Sequence, residues 1–117
     1  MEVPRLDMSC SQGATFKYVV RLLDENGQPV NLTGYTAAMH VRATQKSPTT
    51  IIQLSNTIGG ISIDPLAGVL ELRISPTRTA ALPASKAAYD LKLTAPGGTD
   101  AFFVLEGAFV IKGKVTH

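Results

Sequence analysis

Hydrophobic and polar residues alternate along most of the chain with a period of two, the repeat of a β-strand. In the segment 14–23 every second residue from position 16 is apolar, and in a strand these residues share one face: Phe16, Tyr18, Val20 and Leu22. Further strands are predicted at 35–43, 50–54, 61–63, 69–75, 87–94 and 101–114, the last as a hairpin or as one strand bent at Gly107. Turn-forming Gly, Pro and Asn residues separate these segments. The pattern therefore predicts seven to nine short strands and no long helix.

One short segment, Pro76 to Leu82, has helical character. Ser75 can cap it, and a proline suits the first turn of a helix. The regular spacing of the short strands and turns predicts an antiparallel β-sandwich. A strand followed by a short helical crossover supports the immunoglobulin-like version of this fold.

Tyr89 follows the crossover and precedes the apolar Leu91 by two positions. This is the spacing of a tyrosine corner, in which the phenol bonds back to the crossover and its ring covers the edge of the core. The alternative is an ordinary half-buried strand tyrosine. In antibody domains a disulfide cysteine would stand at position 91, and this chain also has no Trp. Any kinship with antibodies is therefore architectural.

Length and charge limit the arrangement and the partners. The 117 residues predict a single domain, 1–117, with residues 1–12 as a candidate N-terminal arm. Eleven Lys and Arg against nine Asp and Glu give a net charge of +2. A net charge this small does not attract nucleic acid or an anionic membrane by bulk electrostatics alone. No apolar run has the length of a membrane span or the form of a signal peptide, so we expect synthesis in a cytoplasm.

The residue inventory disfavours catalysis and metal binding. The chain has one cysteine, Cys10, and two histidines, of which His40 falls on the polar face of a predicted strand and His117 is the last residue. Hydrolysis needs a nucleophile, a base and an orienting group brought together, and the sequence shows no such grouping. A small hydrolase is therefore the weakest hypothesis. We expect a protein that is not an enzyme and that carries no cofactor or metal.

The C-terminal segment is the most apolar part of the chain. Consecutive apolar residues place side chains on both faces of a strand. One face can pack in the core, and the apolar side chains of the other face must be covered by something else. That cover is a neighbouring protein or, alternatively, loops or the arm of the same chain. The candidates for an intermolecular contact are Phe102, Phe103, Phe109 and Ile111, of which half must belong to the core.

Several segments together resemble small structural proteins of tailed bacteriophages. They include Gln12-Gly-Ala-Thr-Phe16, the turn from Asp24 to Tyr35, Ala38-Met-His-Val-Arg42, Gly59-Gly-Ile-Ser-Ile63, Gly68-Val-Leu-Glu-Leu72, Tyr89-Asp-Leu-Lys-Leu93, Gly97-Gly-Thr99 and Glu106-Gly-Ala-Phe-Val110. A similar layout occurs in the immunoglobulin-like N-terminal domain of phage upper-baseplate proteins, which anchors receptor-binding parts to the virion. The resemblance covers almost the whole chain and carries no catalytic residues.

The resemblance implies a non-enzymatic structural subunit of the virion, in the tail, the baseplate or a head–tail adaptor. Its partners would be other virion proteins and further copies of itself, with the arm as a tether. Upper-baseplate proteins continue into a stalk or fibre, whereas this sequence ends at His117, so an adaptor or accessory subunit is expected. The alternatives are a capsid decoration protein or a module that binds carbohydrate or the host surface. For sugar binding, Tyr35 near Asn31 and Tyr18 near Lys17 are weak candidates.

Overall fold

Residues 4–113 are described by the structure, a computed structural model, and they form eight strands and one short α-helix. The elements are β1 (Met8–Ser11), β2 (Phe16–Arg21), β3 (Thr36–Arg42), β4 (Ile52–Ser55), β5 (Ile61–Asp64), β6 (Val69–Ile74), α1 (Pro76–Ala80), β7 (Ser85–Thr94) and β8 (Ala101–Lys112). A 3₁₀ turn, Pro96–Gly98, joins the last two strands. The predicted all-β fold and its single helical crossover are confirmed.

The strands form two sheets that enclose one core. The larger sheet has the order β1-β8-β7-β3-β4 and the smaller has the order β2-β6-β5. Strands β3, β7 and β8 take the places of C, F and G of an immunoglobulin domain, and β2, β5 and β6 those of B, D and E. Because the larger sheet has five strands and the smaller three, the smaller sheet does not cover the whole inner face of the larger one.

The strand β1 lies within residues 1–12, which the sequence offered as a candidate N-terminal arm. Residues 8–11 form a regular edge strand paired with β8, and the pairing is parallel whereas the other strand pairs are antiparallel. Arg5 continues the same register as an isolated bridge to Glu106. Residues 1–3 of the predicted arm lie outside the described residues. The part that the structure describes is therefore built into the larger sheet.

The last strand, β8, is one continuous strand of twelve residues and not a hairpin. Its irregularity lies opposite the Leu91/Lys92 step of β7, where a β-bulge shifts the register, and not at Gly107. A β-bulge places one extra residue opposite its partner strand and exchanges the faces to which the following side chains point. Gly107 has a different role, since a Cβ at this position would overlap the carbonyl oxygen of Leu6.

The core contains inward-facing residues of both sheets. Phe109 lies at its centre, with ring centroids 5.3 Å from Phe16 and 6.4 Å from Tyr89, both in edge-to-face geometry. The fully buried aliphatic side chains include Leu32, Met39, Val41, Leu54, Leu70, Leu72, Ile74 and Leu91. The inward faces predicted from alternation in β2, β3, β6 and β7 are those that the structure buries.

The crossover helix is fixed at its start and on its inner face. Ser75 caps α1, its hydroxyl accepting the N–H of Arg78 at 3.3 Å. Thr79 is fully buried, and its hydroxyl accepts the N–H of Gly13 and donates to the carbonyl of Ala14 at 2.8 Å. These bonds tie the crossover to the turn between β1 and β2.

Candidate assembly surface

Two of the four predicted contact residues belong to the core. Phe109 and Ile111 are 0% and 2% exposed, because their positions on β8 point between the two sheets. A buried side chain offers no surface to a partner. The structure therefore corrects the assignment of these two residues and leaves Phe102 and Phe103 as contact candidates.

Phe102 and Phe103 are each half exposed, and they lie on opposite faces of the larger sheet. Phe102 is paired with Leu93, a core residue, so its ring points to the inner face beyond the cover of the smaller sheet. Phe103 is paired with Lys92, whose ammonium lies 5.9 Å from the centre of the Phe103 ring on the outer face. A contact at 5.9 Å is within the range of a cation–π interaction.

The start of β8 is also a free sheet edge. Strand β1 pairs with residues 109–112 of β8. Before β1, the N–H of Glu106 donates to the Pro4 carbonyl, and the Glu106 carbonyl accepts the N–H of Leu6. No described residue pairs with the outer side of residues 101–105. We call this stretch, Ala101 to Leu105, the β8 free edge. It carries no charged residue, no proline and no glycine.

The hydroxyl of Tyr89 bonds the N-terminal segment and not the crossover. It donates to the carbonyl of Leu6 at 2.5 Å, so the predicted tyrosine corner is wrong in its partner. The tyrosine is 2% exposed, and burial is the main cause that raises its pKa to about 12, with smaller contributions from the charges of Tyr18 and Asp7. The ring covers the core, and the hydroxyl holds the segment before β1 against the sheet.

A second contact holds the same segment. The Asp7 carboxylate accepts the backbone N–H of Ala108 at 2.9 Å. The same carboxylate oxygen lies 3.3 Å from the guanidinium of Arg5, in an exposed ion pair. With the close approach of Leu6 to Gly107, these bonds position residues 4–7 beside the middle of β8, and within residues 4–113 no segment lies along its first five residues.

Among residues 4–113, the polar groups with acid–base chemistry are not assembled into a catalytic arrangement. His40 lies 3.9 Å from Asp90 on the outer face of the larger sheet, and Arg42 bonds the same carboxylate at 3.4 Å. Cys10 is buried on β1, and burial raises the pKa of its thiol. Since two strands separate β1 from β3, about 14 Å at the usual strand spacing, Cys10 and His40 cannot form a nucleophile–base pair. Within residues 4–113, His, Cys, Asp and Glu form no cluster of three that could hold a metal ion.

The two tyrosines considered for sugar binding are partly buried and pack against the core. The Asn31 carboxamide oxygen near Tyr35 already accepts bonds from the N–H and the hydroxyl of Thr33, at 3.0 and 2.6 Å. Tyr18 lies within β2 beside Lys17, whose ammonium is 3.8 Å from Glu71. Neither tyrosine presents an open aromatic platform with unused polar neighbours.

Sequence reasoning missed other exposed apolar side chains and the edge itself. Leu23, Ile58 and Leu66 are all more than half exposed. Ile58 and Leu66 lie in loops where alternation gives no signal, whereas Leu23 ends the predicted strand 14–23, on the face opposite the predicted apolar one. The β8 free edge had a signal, the uncharged run of five apolar residues, but its lack of a neighbour depends on where β1 begins. None of the helices within residues 4–113 has the length and hydropathy needed to cross a bilayer.

Fold and surface together define an immunoglobulin-like β-sandwich with an aromatic, uncharged edge. Among solved structures, the chain is similar to the N-terminal domain of phage TP901-1 ORF48, with a TM-score of 0.53. The match covers 95% of this chain and 85% of that chain at 14% sequence identity, so it shows a shared fold. No protein-family profile and no curated protein matches the sequence.

Proposed function

We propose that the chain is a non-enzymatic structural subunit of a tailed-phage particle, which assembles by packing against other virion proteins through Phe102 and Phe103. The fold shared with a phage protein domain supports a role in the virion. The resemblance of its strand and turn segments to upper-baseplate proteins supports a place in the tail or baseplate, or as a head–tail adaptor. The observation that carries the proposed contact is the pair of half-exposed phenylalanines on an uncharged strand end.

The area of the phenylalanine pair indicates the strength of such a contact. Half of each ring is exposed, which leaves roughly 100 Å² on each side chain to be covered. At about 25 cal/mol per Å², covering both contributes about 5 kcal/mol before the costs of association, which are of similar size. One such contact is therefore weak, and it becomes useful where many copies or several contacts act together in a particle.

The test is incorporation of a Phe103→Asp variant into particles. The substitution removes half of the apolar contact area and places a charge on the outer face, so we expect a folded protein whose copy number in purified particles falls well below that of the wild type. Ile58→Asp is the matched control, because Ile58 is 68% exposed and lies in the loop between β4 and β5. Particles that contain Phe103→Asp at wild-type occupancy would show that this contact is not used. Purified particles without the protein would refute the virion assignment.

A further inference from the structure

We infer that the β8 free edge pairs with the same edge of a second copy, as two antiparallel strands related by a two-fold axis at Phe102. The two five-stranded sheets would then join into one continuous sheet. This inference rests on the proposed function, in which the phenylalanine pair is an assembly contact, and it names the partner and the register of that contact.

The backbone of β8 determines which groups are free to pair. The N–H and C=O of Glu106 point away from β7, since they bond Pro4 and Leu6. Alternate residues of a strand face opposite neighbours, so Leu105 faces β7 together with its partner Leu91. Beyond the bulge, Leu93 again faces β8 and is paired with Phe102.

It follows that Phe102 faces β7, whereas the N–H and C=O groups of Ala101 and Phe103 point to the open side. An antiparallel partner can accept and donate at both positions when Ala101 lies opposite Phe103 of the second copy. Four backbone hydrogen bonds then flank a central pair of Phe102 residues. These two residues form a non-hydrogen-bonded pair, in which the Cα atoms are about 4.5 Å apart and the side chains are close.

The N-terminal segment of the same chain is the competing occupant, and Pro4 interrupts it. In the parallel ladder, the Leu6 N–H bonds Glu106, and the Glu106 N–H bonds the Pro4 carbonyl. The next bond toward the start of β8 would need an N–H on residue 4, which proline lacks. Pro4 therefore removes one backbone hydrogen bond that an extension of the intrachain ladder along the β8 free edge would need.

Charge and edge protection favour a second copy. Exposed edges are usually protected by shortness, charge or proline, and the other described edges follow this rule. Strands β4 and β5 have four residues each, and β2 carries Lys17 and Arg21. The β8 free edge is five residues long and carries neither charge nor proline, and in the two-fold register no charged residue faces a like charge. Asp100, for example, lies opposite Val104 of the second copy.

The buried area makes this a weak pair in isolation. Covering the exposed halves of both rings removes roughly 200 Å² per copy, whereas a stable interface buries about 800 Å² per partner. We expect a monomer–dimer equilibrium that is visible at high protein concentration and that is stabilised further when neighbours in a particle hold the copies together.

Disulfide cross-linking of the full chain tests the register, with Cys10→Ala as the background. Phe102→Cys should form an intermolecular disulfide several-fold faster than Ala101→Cys, because a separation of about 4.5 Å suits a disulfide and the about 8 Å expected between two 101 positions does not. A mixture of Ala101→Cys and Phe103→Cys should give the mixed dimer in preference to either self-dimer. Equal rates for all variants would mean random collision and would overturn the inference.

A second measurement leaves both phenylalanines in place. In sedimentation velocity, the wild-type sedimentation coefficient should rise with concentration, Ala101→Lys should remain monomeric, and Ala101→Ser should behave as the wild type. A wild type that stays monomeric at its highest soluble concentration, or a lysine variant that associates equally well, would overturn the pairing. If cross-linking at position 102 requires removal of residues 1–3, the edge belongs to the chain's own N-terminal segment and the inference fails.

The outcomes are independent of the particle experiment. If Phe103→Asp is lost from particles but no two-fold cross-link forms, the structural role stands and the second copy is the wrong partner. If the cross-links form but purified particles lack the protein, the pairing stands and the virion role fails.

Discussion

Removal of the Tyr89 hydroxyl should destabilise the domain through the N-terminal segment. Tyr89→Phe keeps the ring in the core, with its contact to Phe109, but leaves the Leu6 carbonyl without its donor. Leaving one partly buried acceptor unpaired costs about 1–3 kcal/mol. For a domain of this size, a loss of about 2 kcal/mol lowers the melting temperature by roughly 6–10 °C.

The effect should depend on pH in a defined direction. Burial raises the pKa of Tyr89 from 10.0 to about 12, so the folded state keeps the phenol protonated where the unfolded chain ionises. The contribution of the neutral phenol is therefore complete below about pH 10 and is lost as the pH rises through about 12. Consequently, the gap in unfolding free energy between the wild type and Tyr89→Phe should narrow over this window.

Urea unfolding at pH 7 and at intervals between pH 9 and pH 12 measures both effects, with Tyr35→Phe as the control. Hydrogen exchange adds a local readout, since the Ala108 amide bonds Asp7 in the segment that Tyr89 holds. Faster exchange at Ala108 is expected in Tyr89→Phe and not in Tyr35→Phe. Equal stabilities of the wild type and Tyr89→Phe, or a gap that does not change with pH, would refute the role assigned to this hydroxyl.

Three further substitutions test other contacts, each by urea unfolding. Gly107→Ala places a methyl group against the Leu6 carbonyl and should cost about 1–3 kcal/mol, with a loss of protection at the Leu6 amide; unchanged protection would contradict the close packing of this segment. Thr79→Val keeps the shape but leaves the Ala14 carbonyl unpaired, so a loss of about 2 kcal/mol is expected, and a neutral result would mean that the buried hydroxyl does not join the crossover to the β1–β2 turn. Ser75→Ala removes the cap of α1 and should cost about 1 kcal/mol, whereas Ser75→Asp, which can also cap, should restore most of it.

The sheet architecture was predictable because burial leaves a period-two pattern in the sequence. In β7, for example, Ala87, Tyr89, Leu91 and Leu93 alternate with polar or partly exposed residues, and these four are buried. The strand β1 was missed because its sequence, Met-Ser-Cys-Ser, is short and half polar, and its pairing with β8 joins residues about 100 positions apart. A local pattern has no information on such a contact.

The candidate surface was only partly predictable for a related reason. Alternation shows that Phe102 and Phe109 are apolar strand residues, but their exposure depends on how far the smaller sheet extends over the larger one. The bulge opposite the Leu91/Lys92 step also interrupts the alternation of inward and outward side chains along β8. As a result, Phe102 and Leu105 lie on the same face although they are three residues apart. The hydroxyl partner of Tyr89, 83 residues away, likewise depends on tertiary packing.

The parallel pairing of β1 with β8 determines how the domain responds to tension. The first strand runs in the same direction as the last, so opposite pulls on Pro4 and on Gly113 act along both strands in opposite senses. The hydrogen bonds of the four residue pairs between these strands are then loaded in shear and must break together. In a hairpin opened from one end, by contrast, the hydrogen bonds would break one after another. An edge strand of only four residues is therefore the mechanical clamp between the two ends of the described chain.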